Sequence, residues 1–244
     1  MRSAIGRGFT ATVGTTLAGI TLALLPGTAQ ADEPSWEDSR RIVEYSRYLS
    51  LKSHLGDIQA EETAQGFAAL SSTQQVRFLD LLEDRSLMQR FFEENEAPPS
   101  VTGTTRVEMA DGDVVVEHES LHGVDETSLS EEDKAAGKKD MWARYKVTDK
   151  IFGIEVAQVL VKTNYQVKGK DTLKVYPGSA SHFLFMPACD FTHSPVKEWV
   201  TSPPGDNALT ETVWSADCWG SEWDRRERVW ADYRGFLGGY LKTD

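Results

Sequence analysis

The chain has 244 residues, with 38 acidic against 26 basic side chains and a formal net charge of −12. Such a charge is repelled by nucleic-acid phosphates and by anionic membrane surfaces, and no Lys/Arg cluster relieves it, so neither partner is expected. No Walker loop, dinucleotide fingerprint, EF-hand or G-x-S-x-G elbow occurs, which removes the corresponding nucleotide, calcium and hydrolase readings.

Residues 1–31 read as a secretory signal peptide that is cleaved on export. Arg2 and Arg7 give a basic start, no charge occurs from Gly8 to Ala31, and apolar density peaks over Leu17–Leu25. Pro26-Gly27 breaks any helix, and Ala29-Gln30-Ala31 supplies the small residues that a signal peptidase accepts. The expectation is a secreted, extracellular chain that begins at Asp32 and has no membrane span after it. Cys189 and Cys218, the only cysteines, would meet an oxidising compartment and are predicted to pair.

Residues 32–97 carry helical periodicity. Glu37 to Ile58 places Ile42, Tyr45, Leu49, Leu55 and Ile58 near one face, with Asp38 or Ser39 as cap and Gly56 weakening the end. A short stretch with Phe67 and Leu70 comes next. Ser72-Thr73-Gln74-Gln75 reads as a capping box and opens a helix with Val76, Leu79 and Leu82 on one side. A last helix, Ser86 to Asn95, presents Leu87, Met88, Phe91 and Phe92. None of these is long enough to stand alone, so the segment is expected to dock on the C-terminal remainder of the chain.

Residues 98–104, with Pro98-Pro99, read as a linker, and residues 105–244 as an antiparallel β domain. Arg106–Met109 and Val114–Glu117 flank a hairpin turn at Ala110-Asp111-Gly112-Asp113. Glu126–Lys139 reads as an exposed loop or a marginal helix. Ile151–Val167 is the strongest strand, and a phase slip near Ala157-Gln158 predicts a bulge. Gly169 marks a turn into Thr172–Tyr176. Met141–Val147, His182–Met186, Leu209–Trp214 and Arg226–Tyr233 are further strands, punctuated by Pro177-Gly178, Pro187 and Pro203-Pro204-Gly205. The fold class is α+β: short N-terminal helices leading into an antiparallel sandwich or barrel-like domain.

His118-Glu119-Ser120-Leu121-His122 matches H-E-x-x-H, in which a helix brings two imidazoles onto one zinc and the glutamate activates water. Over this stretch the chain resembles the zincin metalloproteases, and the resemblance implies His118 and His122 as ligands and Glu119 as the catalytic base. Three features of the sequence oppose it. The stretch follows the strand pattern Val114–Val116, and on a strand the two imidazoles stand about 13 Å apart. Gly123 ends any helix at once. No third ligand stands out among Asp125, Glu126 and Glu131-Glu132-Asp133. His182 and His193 have no nucleophile signature beside them and read as isolated histidines.

The C-terminal third is rich in aromatics: Trp199, Trp214, Trp219, Trp223, Trp230, Tyr233 and Tyr240. Trp199, Trp219, Trp223 and Trp230 form a candidate ligand surface, because indoles stack on sugar rings; the plainer reading makes these residues core and rim. Trp219, Trp223, Trp230 and Tyr233 also fit helical spacing. Arg225-Arg226 and Arg228 interleave with Asp224 and Glu227 as in a solvated, salt-bridged face. The favoured reading is a secreted, non-enzymatic binding or assembly module with an unknown protein or glycan partner and no cofactor. The alternatives are an extracellular zinc-dependent hydrolase using His118, Glu119 and His122, and a glycan-binding protein using the C-terminal aromatics.

Overall fold

A computed structural model describes residues 34–93, 102–201 and 206–243. The expected leader, Pro98-Pro99 and Pro203-Pro204-Gly205 lie outside the described residues, as do the side chains of Met88, Phe91 and Phe92. The fold is α+β, with short helices followed by two antiparallel sheets.

Helix α1 (Trp36–His54) starts earlier than the sequence suggests, because Ser35 accepts the Asp38 N–H and serves as the cap. It ends at His54, where Gly56 turns the chain at φ +94°. Leu55 and Ile58, expected on its apolar face, therefore leave the helix and are 79% and 70% exposed. Helix α2 (Ile58–Ala69) is capped by Asp57 and buries Phe67. Helix α3 (Ser72–Leu82) has its capping box one residue earlier than read, from Ser71 to Gln74. Helix α4 (Arg85–Glu93) closes the series. The rings of Tyr45, Phe67 and Phe78 meet at 5.0 to 5.6 Å and hold the first three helices together.

The first sheet has the order β1 (Gly103–Met109), β2 (Val114–Val124), β3 (Lys138–Ile151), β4 (Ile154–Lys168), β5 (Asp171–Leu184), with α5 (Glu131–Ala135) between β2 and β3. The second contains β6 (Cys189–His193), β7 (Lys197–Val200), β8 (Ala208–Cys218), β9 (Ser221–Asp232) and β10 (Gly235–Thr243). Its order is β10-β9-β8-β6, and β7 pairs with the other half of β8.

The bulge falls at Val156: Asp149 pairs with Ala157 and Lys150 with Glu155, so Val156 and Ala157 are both buried. Pro177-Gly178 does not end its strand. Pairing with β4 resumes across it, and Gly178 makes room for Thr210 and for the Lys162 carbonyl, which an added Cβ would meet at 2.6 and 2.9 Å.

The two sheets face each other through Val116, Tyr145, Val147, Val159 and Val161 on one side and Thr210, Trp214, Val229 and Leu241 on the other. The helices close one end. Tyr45 Oη donates to the Phe185 carbonyl at 3.1 Å, Thr63 Oγ1 to the Glu155 carbonyl at 2.9 Å, and Arg77 pairs with Asp113 at 3.4 Å. The described helices and sheets belong to one compact unit. Among the described residues no helix is long and apolar enough to cross a membrane.

Candidate functional site

At the helix-capped end, Cys189 on β6 and Cys218 on β8 stand directly opposite each other and are bridged. The bridge braces the hairpin between β8 and β9. Trp219-Gly220 joins these strands between the paired residues Cys218 and Ser221. Both turn residues have positive φ, +54° and +76°, as a tight primed hairpin turn requires. Glycine adopts that conformation freely; for a bulky residue such as Trp219 it is a strained outlier. The Trp219 N–H donates to the Ala188 carbonyl at 3.2 Å, which ties the turn to the strand across the disulfide.

This arrangement makes one wall of a cavity of about 340 Å³ lined by Arg85 and Gln89 of α4 and by Cys218, Trp219, Ser221, Trp223 and Arg225. The volume is at the lower end of the range for small-ligand pockets, about 300 to 1,000 Å³. The Arg85 guanidinium lies over the Trp219 ring, 5.5 Å from its centroid. Arg225 Nη1 donates to the Asp224 carbonyl at 2.9 Å. The cavity walls thus carry two indoles, two guanidinium groups, an amide and a hydroxyl, of which Gln89, Trp223 and Arg225 are engaged in contacts within the protein. Trp223 also borders an acidic groove on the outer face of the second sheet, lined by Asp190, Asp217, Glu222 and Asp224.

The H-E-x-x-H stretch lies on β2, extended from Val114 to Val124. Alternation along the strand separates its parts. His118 is buried and its Nδ1 is 2.7 Å from the Tyr145 hydroxyl, while His122 is exposed at the far end of the strand, 3.4 Å from Thr102 Oγ1. Glu119 points to the opposite face, where Arg144 and Lys146 pair with it at 2.7 and 3.5 Å. The helical i, i+4 geometry on which the zinc signature depends is not formed by these residues. Among the described residues no group of three His, Cys, Asp or Glu side chains is placed to hold a metal. Burial pushes the His118 pKa down to about 4, so the ring is neutral at physiological pH.

His182 and His193, read as isolated, face each other at the seam between β5 and β6, with ring centroids 6.0 Å apart over the buried Trp214 ring. Partial burial first, and then the neighbouring His193, hold His182 below its ordinary pKa. His193 Nδ1 is spent on the Ser194 carbonyl at 2.8 Å.

The structure divides the four candidate tryptophans. Trp219 and Trp223 line the cavity, whereas Trp199 sits with Arg228, Tyr240 and Trp230 on the outer face of the second sheet. There Arg228 is taken up by Glu211 and lies over the Trp199 and Tyr240 rings at 5.3 and 5.5 Å. The charged run on β9 is not one solvated face: Arg225 lines the cavity, Arg228 faces outward, and Glu227 is fully buried. Sequence reasoning overlooked Arg85, Gln89, Ser221 and Arg225. Strand alternation was the available signal for Arg225, whose parity is shared by the buried Val229 and Ala231.

Comparison of the chain with protein families, with curated proteins and with solved structures gave no match.

Proposed function

We propose that the protein is a secreted, non-enzymatic binding module that takes its ligand in the cavity bounded by Arg85, Trp219, Trp223 and Arg225. The observation that carries this reading is Trp219. The β3–β4 turn holds Phe152 in the same left-handed region, so the backbone alone marks no site; at Trp219 the turn also sets an indole at the wall of a ligand-sized cavity, braced by a disulfide. Export is supported by the basic, apolar and small-residue pattern of residues 1–31, and a bridged cysteine pair is compatible with an oxidising compartment. Of the two histidines that the zinc-hydrolase alternative needs, His118 is buried against the Tyr145 hydroxyl, and His122 stands four residues further along the same extended strand, beside Thr102.

A glycan ligand is favoured by one specific feature: two of the candidate tryptophans, Trp219 and Trp223, line the same cavity with polar groups around them. The test is a thermal-shift screen of sugars and small organic acids on the mature chain and on Trp223→Ala. Compounds that stabilise the wild type and lose that effect in the folded variant support the reading. Stabilisation unchanged in the variant places the ligand elsewhere and overturns it.

A further inference from the structure

The geometry points to His182 and His193 as a two-histidine site for a divalent transition-metal ion, copper(II) before the others, at the seam between the two sheets. The pair shares no residue with the tryptophan-lined cavity, and the inference does not rest on that site. His182 stands on β5, the last strand of the first sheet, and His193 on β6, the last strand of the second. Both are exposed, so an ion can reach them. Their spacing is set by the packed sandwich: the buried Trp214 ring meets them edge-on at 5.4 and 5.1 Å, and Phe191 meets His182 at 5.1 Å.

An ion held about 2.0 Å from an imidazole nitrogen lies about 3.2 Å from the ring centre, so two rings that share it have centres about 5 to 6.3 Å apart. The observed separation is 6.0 Å. The Ser194 carbonyl accepts from His193 Nδ1 at 2.8 Å, which leaves Nε2 of the neutral ring with a free lone pair. A main-chain acceptor on one ring nitrogen is a common way of orienting a metal-ligating histidine. His182 has a main-chain partner of its own in Phe191. The ligand set selects the ion. Cys189 and Cys218 are bridged, so they offer no thiolate. Neutral imidazoles suit copper, nickel and zinc, and copper(II) heads the affinity order at a nitrogen–oxygen site. Among the described residues no third His, Cys, Asp or Glu completes the set, so water fills the remaining positions. The net charge of −12 draws cations to the chain, and an ion bound here ties one sheet to the other.

Isothermal titration of the protein with copper(II) and with zinc, read beside a nitrogen–proton correlation spectrum, tests the assignment. One copper should bind per chain, at least about tenfold more tightly than zinc. Paramagnetic copper should erase the Trp214 indole signal before those of the other tryptophans, because that ring packs against both histidines. His182→Gln and His193→Gln change exposed side chains and should fold; each should weaken copper binding by about tenfold or more and restore the Trp214 signal. Copper bound with the Trp214 signal intact, or binding unchanged in either variant, would put the ion on other groups such as His54 or His122 and overturn the inference. No binding up to about 1 mM copper would overturn it too. Zinc that displaced copper at equal concentration would overturn the choice of ion.

Discussion

Trp214 donates its indole N–H to Oε2 of Glu227 over 2.6 Å, and both side chains are sealed between the two sheets. The other carboxyl oxygen, Oε1, has no hydrogen-bond partner among the described residues. Burial dominates and pushes the Glu227 pKa up to about 8, so the group is held as the neutral acid at physiological pH.

That pair sets an alkaline weakness. An unfolded glutamate releases its proton near 4.5 and the folded one near 8, so the folded state binds the extra proton between those values. Stability falls as pH rises across the window and levels off above it. Asp149, pushed up to about 7 by full burial, adds a slope of the same sign from 3.8 upward. Glu227→Gln keeps an acceptor for Trp214 and removes the ionisation. Denaturant midpoints measured from about pH 5 to about pH 9 should decline less in the variant. An identical decline would show that Glu227 ionises as readily in the folded chain as in the unfolded one, and would contradict the upward shift.

His118 gives the opposite dependence. Its imidazole is pushed down to about 4 by burial, so the unfolded chain takes up a proton that the folded chain refuses. The contribution is present above about pH 6.5 and is lost as pH falls from there toward 4. His118→Gln should therefore lose less stability than the wild type over that acid interval. Unchanged acid sensitivity would place the titrating group elsewhere.

Glu119 tests the zinc-hydrolase alternative from the other face of the same strand. Its pairs with Arg144 and Lys146 are partly exposed, with side-chain exposures of 22 to 33%, and such pairs contribute about 1 kcal/mol or less. Glu119→Gln should fold normally, cost no more than about 1 kcal/mol in denaturant stability, and leave ligand capture intact. A hydrolytic activity abolished by this change would establish the enzyme reading instead.

Trp219 separates strain retained for binding from packing retained for stability. Asn followed by glycine is favoured in this turn type, so Trp219→Asn relieves the backbone, by up to about 1 kcal/mol. The indole also packs partly against the core, which works the other way. Where binding is the reason for keeping it, the variant unfolds no earlier than wild type in denaturant and loses the ligand. A loss of more than about 1 kcal/mol with binding retained would make Trp219 a packing residue.

Much of the fold could be read from periodicity, because the burial of one strand face repeats every second residue. The hairpin at Ala110–Asp113 and the slip near Ala157 are seen in the structure, the slip displaced to Val156. Strand β10 gave no signal. Gly238 and Gly239 lie in it, where the rings of Trp230 and Tyr145 occupy the space that side chains would need. The helical spacing of Trp219, Trp223 and Trp230 coexisted with a strand pattern, and the turn at Trp219-Gly220 decided between them. The cavity was only half legible. Trp219 and Trp223 stood out as aromatics, but Arg85 reaches Trp219 only through the docking of α4, a tertiary contact that no local pattern encodes.

The most direct measurement is the set of indole N–H signals in a nitrogen–proton correlation spectrum of the protein, which contains seven tryptophans, recorded as a stabilising compound from the ligand screen is added. Binding in the cavity predicts that the Trp219 and Trp223 signals move together and saturably, while those of Trp36, Trp142, Trp199, Trp214 and Trp230 stay in place or move less. Ligand-induced shifts confined to Trp199 and Trp230 would contradict it and assign recognition to the outer face of the second sheet.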